Sequence, residues 1–227
     1  MITRYRFYTW SATDDQFASL RKYLARDKYD EDVGQGIQLL KASKQEYEGR
    51  FIQKVPYSEE AFSTDGTITL IDRTAIVLTK FLLRPGRCGI LLIDPPRAVS
   101  GFMLYLSGLL DHQLAVQAPN INLFKFKRAL RPVLGKTRVT SVRIAGAVLT
   151  EHAVADITVT DKDDALERAS QLYPSHKGCI GKIDLSFGEQ SSSKTRLSVT
   201  RSGSISTAAE RIDIGALWTV VEESAMP

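Results

Sequence analysis

Between His112 and Thr150 the chain places seven basic side chains, Lys125, Lys127, Arg128, Arg131, Lys136, Arg138 and Arg143, and no Asp or Glu. A one-sign surface results if these side chains share a direction, and such a surface attracts polyanions. Their spacing gives them one. Leu123, Phe126, Leu130, Val133 and Leu134 recur at helical intervals and would line the inner face of a helix over 121–131, capped by Asn120 or Asn122. Lys125, Arg128 and Arg131 then fall on the outer face, with Phe124 among them. Cations interleaved with an exposed ring suit phosphates and the flat faces of bases. Phe124, Lys125, Lys127, Arg128, Arg131, Lys136 and Arg138 are therefore the candidate nucleic-acid-binding residues. The bland alternative is a solvated basic face with Phe124 packed under a loop.

Motifs that would name a reaction are missing parts. Gly135-Lys136-Thr137 is the tail of a phosphate-binding loop, but the full pattern requires glycine where Leu130 stands and a preceding strand, and here a basic helix precedes it. Of the metal-ligating types, His112, His152, His176 and Cys179 are scattered, and no metal site or cofactor is expected. Asp94 closes an apolar strand, a place where carboxylate sites form, yet Pro95 and Pro96 beside it read as a strand terminator. Asp72 and Lys80 offer no Glu-x-Lys arrangement for a nuclease. Cys88 lies in an apolar run and reads as core rather than nucleophile, and the sequence has no Gly-x-Ser-x-Gly elbow.

The elements that would hold these residues follow from periodicity. Ile2 to Trp10 alternates as a half-buried strand. Thr13 and Gln16 form a capping box for a helix whose stripe is Phe17, Leu20 and Leu24. Strands are predicted over 37–41, 51–55, 67–71 and 76–83, with turns at Glu48-Gly49, Pro56, Asp65-Gly66 and Asp72-Arg73. Connections so short favour antiparallel neighbours. Cys88 to Ile93 reads as a central strand, and Ala98 to Leu110 as a buried helix with Gly101 and Gly108 at close approaches. The basic helix should end near Pro132. Beyond it come strands over 138–148 and 153–160, a helix from Asp161 to Tyr173, strands over 178–187 and 195–200, a short strand at Ile205, and a closing helix marked by Leu217, Trp218 and Val221. This order predicts an α+β fold with a largely antiparallel sheet and about five helices, arranged as two lobes, 1–111 and 112–227.

Composition sets the outer limits. With 227 residues, 43% of them hydrophobic, the chain is long enough to bury a sizeable core. A net charge of +4 permits contact with nucleic acid without requiring it. Two distant cysteines and the alternating N-terminus point to a reducing cytoplasm. The apolar stretch 89–110 is interrupted by Asp94, Pro95, Pro96 and Arg97, so no membrane span is expected. The sequence thus supports a non-catalytic protein that binds DNA or RNA through a basic helical face. The alternative is a structural or regulatory subunit docking that face on an acidic protein partner. A metal-dependent hydrolase or nuclease at Asp94 is the third reading.

Overall fold

The computed structural model describes residues 2–150, 153–188, 195–209 and 212–226. In chain order these form strand β1 (Thr3–Trp10), helix α1 (Asp14–Arg26), strands β2 (Gln35–Ala42), β3 (Tyr47–Phe62), β4 (Ile68–Leu83) and β5 (Ile90–Ile93), helix α2 (Ser100–Gly108), strand β6 (Val116–Gln117) and helix α3 (Leu123–Leu134). Strands β7 (Thr137–Thr150) and β8 (Ala153–Thr160) follow, then helix α4 (Ala165–Leu172), strands β9 (Ile180–Phe187), β10 (Thr195–Thr200) and β11 (Ser204–Thr207), and helix α5 (Ile214–Ser224). Neighbouring strands pair antiparallel in every recorded register, so the fold is α+β as the element order predicts.

The chain divides into two compact units, one made of Met1–Trp10, Arg87–Leu91 and Val116–Pro227, the other of Ser11–Gly86 and Leu92–Ala115. In the second unit β2, β3 and β4 form a meander. The Thr13 capping box opens α1 as expected, and Phe17, Leu20 and Leu24 are buried. Phe17 stacks on Tyr47 at 4.6 Å, and the Tyr47 hydroxyl donates to the Phe17 carbonyl. Phe51, Phe81, Phe102 and Tyr105 complete an aromatic core between β3, β4 and α2.

Three sequence expectations in this unit are corrected. The runs 67–71 and 76–83 are one strand, because Asp72 and Arg73 do not turn but pair across the hairpin. Asp72 accepts from the Ser58 hydroxyl at 2.8 Å, and Arg73 meets Glu59 at 2.6 Å. Glu48-Gly49 is not a turn either. Gly49 lies inside β3 because a Cβ there would come within 2.6 Å of the Phe81 ring, and the reversal sits at Ser43–Glu46 instead. Finally, α2 is buried on one side only, with Phe102 and Leu106 inside and Leu104 exposed. Gly101 does take a close approach, from the Gln53 side-chain amide, but Gly108 has nothing nearer than His112 at 3.8 Å.

The first unit is a sheet with strand order β1-β11-β10-β9-β7-β8, and β6 pairs with the end of β1. Strand alternation gives it two unlike faces. Tyr5, Val139, Val142, Ile183, Leu185, Leu197, Val199 and Ile205 point to the buried face. On that side α3 packs against α5, β7 and β9, and Trp218 of α5 meets Phe7 edge to face at 5.6 Å. Asp213, which looks unfavourable inside a helix, is in fact the cap of α5, accepting from the Gly215 and Ala216 N–H groups. In the same way the acidic run before α4 resolves into a cap. Asp164 accepts from Leu166 and Glu167, so the helix starts at Ala165 rather than Asp161.

Candidate nucleic-acid interface

Helix α3 forms where its apolar spacing requires. Leu123, Phe126 and Leu130 are buried, and the Asn122 side chain caps the first turn by accepting from the Phe124 and Lys125 N–H groups at 3.1 Å. Its end departs from expectation. The helix runs through Pro132 to Leu134 and closes at Gly135, whose φ of +71° suits glycine and whose N–H donates to the Arg131 carbonyl. Proline removes the N–H that would bond the Arg128 carbonyl, a loss tolerated here because Pro132 is exposed and in the last turn.

The extra residues lead directly into Lys136, and the end of α3 builds with α4 a cleft of 770 Å³. Five of the seven predicted residues, Phe124, Lys127, Arg128, Arg131 and Lys136, line it beside Leu166 and Glu167. Phe124 is 38% exposed, with no aromatic or cationic partner among the described residues, so its ring is presented rather than tucked away. It also borders a second hollow of 550 Å³, shared with Lys125, Ile121, Ile180 and Met226. Arg201 lines that hollow too, its Nε donating to the Asn120 side chain at 2.6 Å. Phe124 is therefore a ridge between two depressions, each edged by cations. Lys125, Arg128, Arg131 and Lys136 make no side-chain hydrogen bond or ion pair with any described residue.

Lys127 and Arg138 differ from these four cations. Lys127 is largely covered and bonds to the Asp164 carboxylate, with Glu167 at 3.8 Å. Arg138 donates to the Lys162 carbonyl and turns to the other face of the sheet. Sequence reading could not supply the acids that answer this basic stretch, because Asp164 and Glu167 lie outside it and reach it only through tertiary packing. Arg143 is met in the same manner by Asp156 at 2.5 Å, and that hydrogen bond, with one from the Gly146 N–H, holds the Asp156 carboxyl below the usual range.

The other sequence candidates are dispersed. Gly135-Lys136-Thr137 leads from a helix into a strand, the reverse of the strand-loop-helix order of a nucleotide-binding loop. Asp72 and Lys80 are eight positions apart on β4, roughly 26 Å in an extended strand. Asp94 follows β5 with a φ of +46°. Among the described residues no three His, Cys, Asp or Glu side chains converge as metal ligands. His152 and the side chain of His176 lie outside the described residues. Cys88 is fully buried, where burial and then the Glu222 carboxylate push its thiol up to about 11. Among the described residues no helix is long and apolar enough to cross a membrane. No protein-family model matches the chain, and no curated protein matches it significantly.

Proposed function

We propose that the protein binds nucleic acid without catalysing a reaction on it, using the α3 cleft. Lys125, Arg128, Arg131 and Lys136 contact phosphates, and Phe124 stacks on a base. The observation that carries this reading is the grouping of four exposed cations, without a polar side-chain partner among the described residues, around an exposed ring that borders both hollows. An unpaired arginine keeps its full donor fork for a phosphate, whereas Lys127, bonded to Asp164, has little to offer.

The test is a binding titration of Arg128→Glu/Arg131→Glu. Both positions are exposed, so stability should change by less than about 0.5 kcal/mol for each. Each lost phosphate contact should lower the log-log salt slope by roughly 0.7 to 0.9. Phe124→Ala should weaken single-strand binding by about 1 to 3 kcal/mol with little change in slope. A folded double variant that binds DNA and RNA as the parent does refutes the reading. A parent that binds neither at moderate salt refutes it too, and leaves docking on an acidic protein partner as the use of this face.

A further inference from the structure

Strands β3 and β4 run 16 residues each, but β2 follows β3 only as far as the pair Gln35–Gln53. Beyond that level the two strands continue as a ribbon, paired from Val55–Ala75 to Phe62–Ile68 and closed by a turn over 63–67. A strand covered on one side alternates in exposure. Here consecutive residues are exposed, all but Ala61 and Ala75 in 55–62 and 68–75, so within its own unit the ribbon is bare on both faces. A two-stranded ribbon is marginally stable in water by itself, which gives this one a reason to take a partner.

The two faces differ. Odd-numbered side chains continue the face that, at the base of the ribbon, packs Phe51 and Phe81 on Phe102 of α2, and further out they include the ion pair Glu59–Arg73. The even-numbered face is the apolar one. At the tip Phe62 opposes Ile68, with Leu70 next along β4; at the inner end come Ile76 and then Leu78, which opposes Ile52. Ile68, Leu70, Ile76 and Leu78 are 57%, 67%, 63% and 48% exposed, and Phe62 is 72% exposed. Between the two apolar clusters lie Ser58, bonded to Asp72 at 2.8 Å, and Pro56 opposite Thr74. The stripe is therefore symmetrical about the level of Tyr57 and Arg73.

We propose that two copies of this chain pair face to face through these stripes, about a twofold axis that crosses the ribbon at Tyr57 and Arg73. A twofold contact requires that where residue i meets j of the other copy, j meets i in turn. Reversing one ribbon over the other satisfies this throughout, setting Ile68 on Leu78, Leu70 on Ile76 and Phe62 on Ile52 in both directions. Glu60 comes over Lys54, whose ammonium already serves the Glu31 carbonyl and carboxylate, so that contact adds little and apolar burial carries the pairing. Edge-to-edge joining along β3 is disfavoured, because Pro56 has no N–H to offer an added strand. The stripe spans about 34 Å from Ile68 to Leu78 and is roughly 10 Å wide, a footprint of roughly 340 Å² against the about 800 Å² per partner of a standard interface, so the dimer is a weak one. This inference is independent of the cleft and its ligand.

The experiment is sedimentation velocity of the full chain over a range of concentrations. It should show a reversible monomer–dimer equilibrium with a dissociation constant of roughly 10 to 100 µM. Leu70→Lys and Ile76→Glu each set a charge against an apolar side chain of the other copy, and each should weaken the dimer by about tenfold or more. Both charges suit the ribbon itself, since the neighbours directly across the strand pair are Glu60 and Lys54, and circular dichroism checks the fold. In the combined Leu70→Lys/Ile76→Glu chain the axis brings the new ammonium of one copy onto the new carboxylate of the other, so this chain should dimerise more tightly than either single variant. A parent that is monomeric throughout overturns the proposal, as do assemblies that grow beyond a dimer, which a closed twofold contact does not allow. A dimer indifferent to both single variants overturns it too. Single variants that weaken the dimer without rescue in the combined chain overturn the twofold register.

Discussion

Asp164 joins the stability of the fold to the charge of the cleft, and two substitutions separate its roles. One carboxylate oxygen caps α4, accepting from Leu166 and Glu167 at 3.1 and 3.2 Å, and the other receives Lys127. Asp164→Asn keeps the capping oxygen, since asparagine caps as well as aspartate, but discards the ion pair. Side-chain exposures of 23% for Lys127 and 18% for Asp164 place the pair between a surface bridge and a buried one. Its loss should therefore cost about 1 to 2 kcal/mol. Asp164→Ala loses the cap as well, roughly a further 1 kcal/mol. Urea denaturation followed by circular dichroism measures both, and unchanged m-values would confirm that the unfolded states are comparable. A cycle with Lys127→Met should return a coupling of the same size as the Asn cost. If Asn and Ala are equally destabilising, the cap contributes nothing; if the coupling is zero, the bridge contributes nothing. On the cleft reading, Asp164→Asn also frees Lys127 for phosphate, so the salt slope should steepen by up to about 0.9. Weaker binding by a folded Asp164→Asn protein would contradict that.

Two further outcomes follow from buried groups. Burial alone would raise the Glu46 carboxyl, but hydrogen bonds from Lys41 at 2.9 Å and from Arg84 at 2.6 and 2.8 Å hold it below its ordinary value of 4.5. Because the folded value is the lower one, this stabilisation is present above the unfolded value and is lost as pH falls through the folded one. Glu46→Gln should accordingly be less stable than the parent at pH 7 and show a flatter stability curve below about pH 4.5; equal acid slopes in the two proteins would refute the linkage. Cys88, with its thiol raised to about 11, should resist iodoacetamide at pH 8 until the protein unfolds, and mass spectrometry showing native Cys88 labelled as fast as Cys179 would refute this.

Local physics made much of the fold legible. The capping box at Thr13, the stripe Phe17, Leu20, Leu24 and the inner face Leu123, Phe126, Leu130 are written in neighbouring residues, and the structure has each where expected. Errors arose where a distant residue changes what a local signal means. Asp72-Arg73 has the composition of a turn, but Ser58 and Glu59 across the hairpin satisfy both side chains and let the strand continue. Gly49 punctuates nothing because Phe81 needs its missing side chain. Pro132 sits close enough to the end of α3 that its absent N–H costs little, so Gly135 sets the boundary instead.

The candidate surface followed the same division. Helical spacing alone put Lys125, Arg128 and Arg131 on an outer face with Phe124, and the structure does expose them. What spacing could not convey is how much of a basic run remains basic after folding. Asp156, Asp164 and Glu167, between 6 and 17 positions beyond Thr150, return on β8 and α4 to meet Arg143 and Lys127. Cations of the same run are thereby sorted into those bound by acids and those without an acid partner among the described residues. Arg4, Lys182 and Arg196 lie in three segments with no shared sequence signal, and only the registers β1–β11–β10–β9 set them on one face. Charge density in three dimensions is thus lower at Lys127 and Arg143 than the sequence implies.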